Sequence, residues 1–514
     1  MEVHSHNPIT KWKWRLFFYT IGLSSGFLIL SAKFGIMFAG KFTLFTMLAG
    51  SQGTIALSAS ESFYPIGLNE TSYITNTSLG SYGGSYSAPG KSTTSNITYG
   101  TYDYCSMPHP RVQEYLLPSP VANGSVKTEL VYLEYLQRHQ RRTMYNVLPS
   151  GETVPFNCSD ISPYLYAGPH DTTLEQPIPV YASTYTDAHN PFLGNYISGT
   201  CQYPQLTIGG LLDGYQHGRD LSGVYGATGK LSLFPTNPSL EQSYFRSSES
   251  PLTQQSAGGV LRGIWPKYQG SISLHQQASS LDTVNAGYSC SAIASTLARI
   301  KSTTEWQAHL TATSTIRTTL GNMFNADSSA WQGTMDHFAD NFQARLCNGY
   351  SLPCSPTNAS NCVTREMADE VFRAGDWEWN YYWRANPYAQ KYIQVVEGLF
   401  IGEIVSRLES VANGTIQGGK YSHTFVHDGD IGPVAGALGI NALRWPGMGS
   451  NIAVEIWKLQ NSSSPAIDGH FARVLYSGQP MQSSHGDLDW VPLRTLLGIL
   501  KQFVPTDIVS LCNS

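Results

Sequence analysis

Three times along this chain a short apolar run ends in a polar cluster and passes into a helix-compatible stretch. The first run is Leu130-Val131-Tyr132-Leu133-Glu134-Tyr135-Leu136, ending in Arg138-His139-Gln140-Arg141-Arg142-Thr143. Ser243-Tyr244-Phe245 leads to Arg246, and His423-Thr424-Phe425-Val426 leads to His427-Asp428. Helical patterns follow at 209–225, 253–264 and 432–438. A run apolar on both faces, with Glu134 the exception, suits a strand buried inside a parallel sheet. In open α/β sheets, ligands gather at the carboxyl ends of strands, where helix amino termini also point. All three clusters occupy such positions. The expected fold is α/β, with a central, mostly parallel sheet flanked by helices.

The first cluster has a use around a phosphate. Guanidiniums hold phosphate oxygens in forked hydrogen bonds, and an imidazole can attack phosphorus. A monoester dianion needs fixed positive charge, a nucleophile and a proton donor for the leaving oxygen. Arg138, Arg142 and Arg246 are the candidate phosphate-binding cations, with His427 beside them. His139 is the candidate nucleophile and Asp428 the candidate proton donor. Each of these alone is more often a surface feature; their common placement at strand ends carries the reading. Arg141 is expected to be a solvated or substrate-edge charge, His217 a helix-surface or packing residue, and Asp430 a helix cap.

The net charge of -5 argues against a nucleic-acid partner, which needs a basic surface. Eight cysteines, none in a CxxC pair, read as disulfides rather than a zinc site, although 105 pairings are open. Eight Asn-x-Ser/Thr sequons agree with an exported, glycosylated chain. Residues 16–32 are apolar and uncharged, with Lys11, Lys13 and Arg15 before them. That is the short limit for a membrane anchor, whereas a reading from Met37 resembles a cleaved signal. Either places the remainder outside, secreted or at the cell surface.

Residues 1–59 are therefore read as signal or anchor, and 60–125 as an irregular, glycosylated arm. Residues 126–265 and 421–514 form the expected α/β core. Residues 266–420 have helical patterns and poor strand signals, and are read as an inserted helical lobe roofing the strand ends. The aromatic block Trp377, Trp379, Tyr381, Tyr382 and Trp383 is expected to pack that lobe, with a sugar- or base-stacking platform possible but not required.

The motifs taken together resemble the histidine acid phosphatases, a branch of the histidine phosphatase superfamily. That family carries RHGxRxP after its first strand and a His-Asp pair near its carboxyl end; this chain has RHQRRTM and VHDGD. Gln205-Leu206-Thr207-Ile208-Gly209-Gly210 and the segment at 216–221 resemble the family's LTxxG…LGxxL helix segment. Phe245-Arg246-Ser247-Ser248 is similar to its arginine-bearing second strand. Residues 99–105 and 474–480 fit the fungal secreted branch, which includes phytases. The resemblance, spanning roughly 99–512, implies a histidine phosphatase fold and metal-free, cofactor-free hydrolysis of small phosphate monoesters through a phosphohistidine, with an acidic optimum. Broad acid phosphatase is favoured over phytase, because Lys and Arg are sparse in 266–420. Gln140 stands where the motif has Gly, and Met144 where it has Pro. The first change adds bulk beside the nucleophile, so a catalytically inactive binding or cell-wall protein is the alternative. HDGD is also similar to metal-dependent HD-type phosphohydrolases, but no earlier histidine is placed to join the pair.

Overall fold

The computed structural model describes residues 58–79, 83–91, 97–165, 178–185, 187, 189–190, 199–415, 419–460 and 466–513. The signal or anchor region at 16–32 lies outside the described residues. Among the described residues, no helix is long and apolar enough to cross a membrane.

The first apolar run becomes β1 (Thr128–Arg138), and the second and third become β2 (Ser243–Ser247) and β3 (Tyr421–Val426). β4 (Asn451–Leu459), β5 (His470–Tyr476), β6 (Gln479–Pro480) and β7 (Val491–Pro492) complete the sheet. The order is β7-β5-β4-β1-β3-β2, with β6 paired to β5. β1, β3 and β2 run parallel, which carries the three polar clusters to the same edge. Beyond β1 the pairings to β4, β5, β6 and β7 are antiparallel, so the α/β fold keeps its parallel character in the half that bears the clusters.

Both faces of the sheet are covered. Leu133, Tyr135, Phe245 and Phe425 pack on one side with Leu221 and Val224 of α1 (Ile208–Tyr225) and Val260 and Ile264 of α2 (Pro251–Ile264). Tyr132, Leu136, Val426 and Ile452 face the other side. There they share a core with α3 (Asp336–Cys347), α4 (Arg365–Asn380) and α5 (Asp428–Ala437). The alternation along β1 follows from the two-residue period of a strand. α1 and α2 touch through glycine: a Cβ on Gly263 would lie 2.1 Å from the Tyr215 carbonyl oxygen, so only glycine fits there. Residues 266–420 also hold a short hairpin, Cys354–Ser355 with Asn358–Cys362, among their helices.

Glu134, the one charge in the β1 run, is fully buried. Arg407, from the helix Gly398–Ala412, grips it with two hydrogen bonds of 2.8 and 3.0 Å, and the Tyr132 hydroxyl donates a third at 2.8 Å. All eight cysteines pair, as Cys105–Cys347, Cys158–Cys201, Cys290–Cys512 and Cys354–Cys362. Glu134→Ala would strand Arg407 against the sheet. The expected loss is about 3–5 kcal/mol of unfolding free energy, read from the urea midpoint at unchanged slope.

Candidate active site

Parallel register brings the first and third clusters together. Arg138 of β1 pairs with Val426 of β3, and the His139 amide donates to the Val426 carbonyl at 3.2 Å. The next residue on each strand is then a histidine. The His139 and His427 rings lie 5.4 Å apart, nearly edge to face. Both line a cavity of about 470 Å3 together with Arg142 and Asp428.

His139 Nδ1 lies 3.0 Å from the Gln140 carbonyl oxygen. A carbonyl only accepts, so Nδ1 carries the proton and Nε2 is left with a free lone pair. Burial pushes the imidazole pKa well below its usual value, and the Arg138 and Arg142 guanidiniums push the same way. The ring is therefore neutral. His427 is also held neutral, its pKa lowered to about 4 by burial and the two arginines against the opposing effect of Asp428. Its Nε2 sits 3.2 Å from the Ser248 hydroxyl.

Asp428 begins α5. Burial alone would raise its pKa, but the Arg138 guanidinium at 2.8 Å, the Trp445 indole N–H at 2.7 Å and Arg142 hold it below the usual carboxylate value. Arg138 lies beneath it, fully buried, also donating to the Tyr104 hydroxyl at 3.2 Å and to the Pro446 carbonyl. Asp430 accepts from the His427 amide at 2.8 Å and so caps α5. Its other oxygen accepts from the Asn285 amide at 2.5 Å.

Arg142 reaches the cavity from the other side. Asp340 of α3 pairs with it at 2.7 Å, and the second oxygen of Asp340 accepts the Tyr145 and Asn146 amides at 2.8 and 2.9 Å. One carboxylate thus sets both the guanidinium and the loop after it. Asp340 and Trp445 carry no motif in the sequence, and nothing local marks them.

Three expectations need correction. Arg246 does not reach the cavity. Arg246 pairs with Thr424, whereas Arg138 pairs with Val426, so Arg246 stands two rungs short of the site. That is about 7 Å along the strands. Its guanidinium is held by Asp282 at 2.7 Å, Thr283 at 2.7 Å and Glu403. The cavity wall after β2 is Ser250, Pro251 and Leu252 instead. Arg141 is not solvated but buried, paired to Asp213 at 2.5 Å and donating to the Ser87 and Cys347 carbonyls. α1 comes so close here that a Cβ on Gly210 would meet the Arg141 carbonyl oxygen at 2.0 Å. Gln140 does not narrow the pocket: it is absent from the lining, and its Oε1 accepts from Ser256 of α2 at 2.6 Å. Met144 is buried with Phe156, Cys158, Cys201 and Ala344. His217 is a packing residue, bonded to Tyr135 and Gln137 and stacked on His109. Among the described residues, no group of three or more His, Cys, Asp or Glu could hold a metal ion.

The Asp340–Arg142 pair gives a direct test. Asp340→Asn removes the charge that aims Arg142 and weakens its hold on two loop amides. Affinity for vanadate or inorganic phosphate is expected to fall about tenfold, as a charge-assisted bond becomes a neutral one. Calorimetry giving unchanged affinity would show that Arg142 needs no such support.

No protein-family model matches the chain. It is 25% identical over 197 residues to 2-phosphoxylose phosphatase 1 of Danio rerio, covering 34% of this chain and 39% of that protein. It is 24% identical over 280 residues to the Homo sapiens protein of the same name, covering 54% of this chain and 55% of that one. The chain thus spans from about two fifths to about half the length of these curated relatives. Among solved structures, Hafnia alvei phytase in complex with tartrate aligns with a TM-score of 0.47 at 13% identity, over 75% of this chain and 98% of that one. D. castellii phytase aligns with a TM-score of 0.45 at 14% identity, over 80% and 86%. The ordered motifs resemble those of the histidine acid phosphatases, and the curated proteins that the chain is similar to are phosphatases.

Proposed function

We propose that this protein hydrolyses phosphate monoesters without a metal, through a phosphohistidine on His139. The observation that carries the reading is the state of His139: neutral, buried, and held with Nε2 bare by the Gln140 carbonyl. That is the form a nucleophilic imidazole needs. Nε2 attacks phosphorus as the ester oxygen leaves with a proton from Asp428; water then attacks the phosphohistidine and releases phosphate, returning the proton. Arg142 and His427 face the phosphoryl oxygens, and Arg138 supports Asp428 from below. An ionised Asp428 cannot donate. A phosphate dianion arriving beside it raises its pKa, because like charges disfavour a second negative group. Proton uptake with substrate therefore accompanies binding, and mildly acidic solution favours it.

In the same reading, residues 126–265 and 421–514 are the catalytic core and 266–420 the lobe over it. The chain is exported and glycosylated: all eight cysteines are in disulfides, and the six sequon asparagines that are described, Asn69, Asn76, Asn123, Asn157, Asn358 and Asn413, are exposed. A second reading, phosphate binding without turnover, draws on the withdrawal of Arg246 from the cavity.

Release of phosphate from p-nitrophenyl phosphate in EDTA separates the two. Turnover that His139→Ala abolishes supports the enzyme. Binding of phosphate with no turnover from pH 3 to 7 supports the binder. The pH profile is a further check. With His427 titrating at about 4, kcat/KM is expected to hold as pH drops from 6 and to decline only near that value. An acid limb centred near about 6.5 would mean that the imidazoles are not held neutral.

A further inference from the structure

Behind the cavity wall lies a buried carboxyl that the proposed reaction does not use. Glu397 stands immediately before the helix Gly398–Ala412 and is 0% exposed. Among the described residues, neither of its oxygens meets a hydrogen-bond donor. An ionised carboxylate so placed would give up its water hydrogen bonds for nothing, which is costly. The cation that acts on it, Arg246, is already held by two other carboxylates, Asp282 and Glu403, and by Thr283. Glu397 therefore carries a proton, and burial raises its pKa well above the usual carboxyl value.

A protonated carboxyl needs an acceptor in turn. The group against it is the Asp430 carboxyl, itself buried. Two ionised carboxylates only accept and would repel; with one proton between them they bond. The backbone decides which acid keeps that proton. The Asp430 oxygens each accept an amide, from His427 at 2.8 Å and from Asn285 at 2.5 Å, whereas Glu397 accepts none. Two amide donors favour the charged form of Asp430, so the proton resides on Glu397. Burial still holds the Asp430 pKa up at about 7 against those amides.

Both amides belong to residues that line the cavity. Asn285 is left-handed, with φ of 61°, and Ala286 after it has φ of 34°. Such a backbone persists only where its surroundings fix it, and Asp430 supplies the tie. One carboxylate thus joins the end of β3 to the loop beneath the cavity. The charge around the pair is mostly negative. Asp282 and Asp428 act on Asp430, Arg246 and Glu403 act on Glu397, and the Tyr288 hydroxyl also faces Glu397. A charge on Glu397 would have to share one arginine with two carboxylates already bound to it.

We propose that Glu397 is a positioning residue: it keeps a proton in the folded chain, donates to Asp430, and through that bond fixes the His427 and Asn285 amides at the cavity wall. This deepens the reading of the His139 cavity as a phosphate site without depending on turnover. The folded chain then keeps a proton that an unfolded glutamate releases above about pH 4.3. What Glu397 contributes to stability is therefore fully present below that pH. It is lost as pH rises toward the folded pKa, because unfolding releases the proton.

Two variants of the full chain test it. Glu397→Gln keeps a donor and cannot ionise; Glu397→Leu has neither donor nor charge. In urea titrations, the unfolding constant of the unmutated protein relative to Glu397→Gln is expected to rise about tenfold per pH unit between about pH 5 and 7. A ratio that is flat with pH means that Glu397 is ionised in the fold, and overturns the proposal. Hydrogen exchange, read by mass spectrometry on the peptides that hold His427 and Asn285, measures the positioning. Exchange there should be equally slow in the unmutated chain and Glu397→Gln, and about tenfold faster in Glu397→Leu. Equal exchange in all three makes Glu397 a packing residue and overturns its positioning role. Affinity for inorganic phosphate, by calorimetry, should follow the same order, nearly unchanged in Glu397→Gln and about fivefold weaker in Glu397→Leu. If no form binds phosphate, the phosphate-site reading falls, while the exchange and urea results still decide this one. If Glu397→Leu does not fold, the pH dependence of the ratio to Glu397→Gln decides it.

Discussion

The ion pair between Arg138 and Asp428 joins the ends of two strands, and the rest of the site is arranged around it. Arg138 is fully buried, so its charge is tolerable only with close partners. Asp428 supplies one at 2.8 Å, Tyr104 another, and the Pro446 carbonyl a third. Each partner recruits a distant segment. Tyr104 precedes Cys105, whose disulfide to Cys347 ties it to the end of α3. Pro446 follows Trp445, which donates to the same Asp428 oxygen that Arg138 contacts. Through Asp340, α3 in turn fixes Arg142. One desolvated guanidinium thus obliges the amino-terminal arm, the helical segments and the carboxyl half of the chain to meet at a single point.

That arrangement sets the charge state of the site before any ligand arrives. Asp428 is held ionised by the arginines, while burial and the same arginines keep both imidazoles neutral. The two effects come from one source: positive charge in a poorly solvated place favours carboxylate over carboxylic acid, and imidazole over imidazolium. A neutral imidazole is the reactive form and an ionised carboxylate is the unreactive one. In the proposed reaction the site is therefore half-prepared: a phosphate dianion would raise the Asp428 pKa, and the carboxyl would take its proton from solution. In that reading substrate charge is part of the acid–base chemistry.

Sequence reasoning reached what is local. Strand runs, the helices after them, the cap at Asp430 and the histidines at the strand ends are patterns within a few residues. It missed what depends on register and on distant partners. Arg246 ends an apolar run just as Arg138 does, but nothing in the run states the level at which β2 pairs with β3, and two rungs suffice to withdraw a guanidinium. Arg141 reads as a surface charge until Asp213 is known to lie against it, and Glu134 as a flaw in a strand until Arg407 arrives from the helix beyond. Asp340 and Trp445 were invisible for the same reason: their partners are about 198 and 17 residues away in sequence.

Gln140 shows how a motif can change without changing what it does locally. The group that holds His139 in its reactive tautomer is the carbonyl of residue 140, which every amino acid possesses. The side chain is free to vary if space exists for it. Here it lies against Gly214 of α1, where a Cβ would press to 3.3 Å, and it gains a hydrogen bond from Ser256 of α2. A bulkier residue at 214 would drive the amide back toward the nucleophile. The Gln at 140 and the Gly at 214 are therefore one packing solution, and the departure from the motif is compatible with an intact His139 because its bulk is spent between two helices rather than in the cavity.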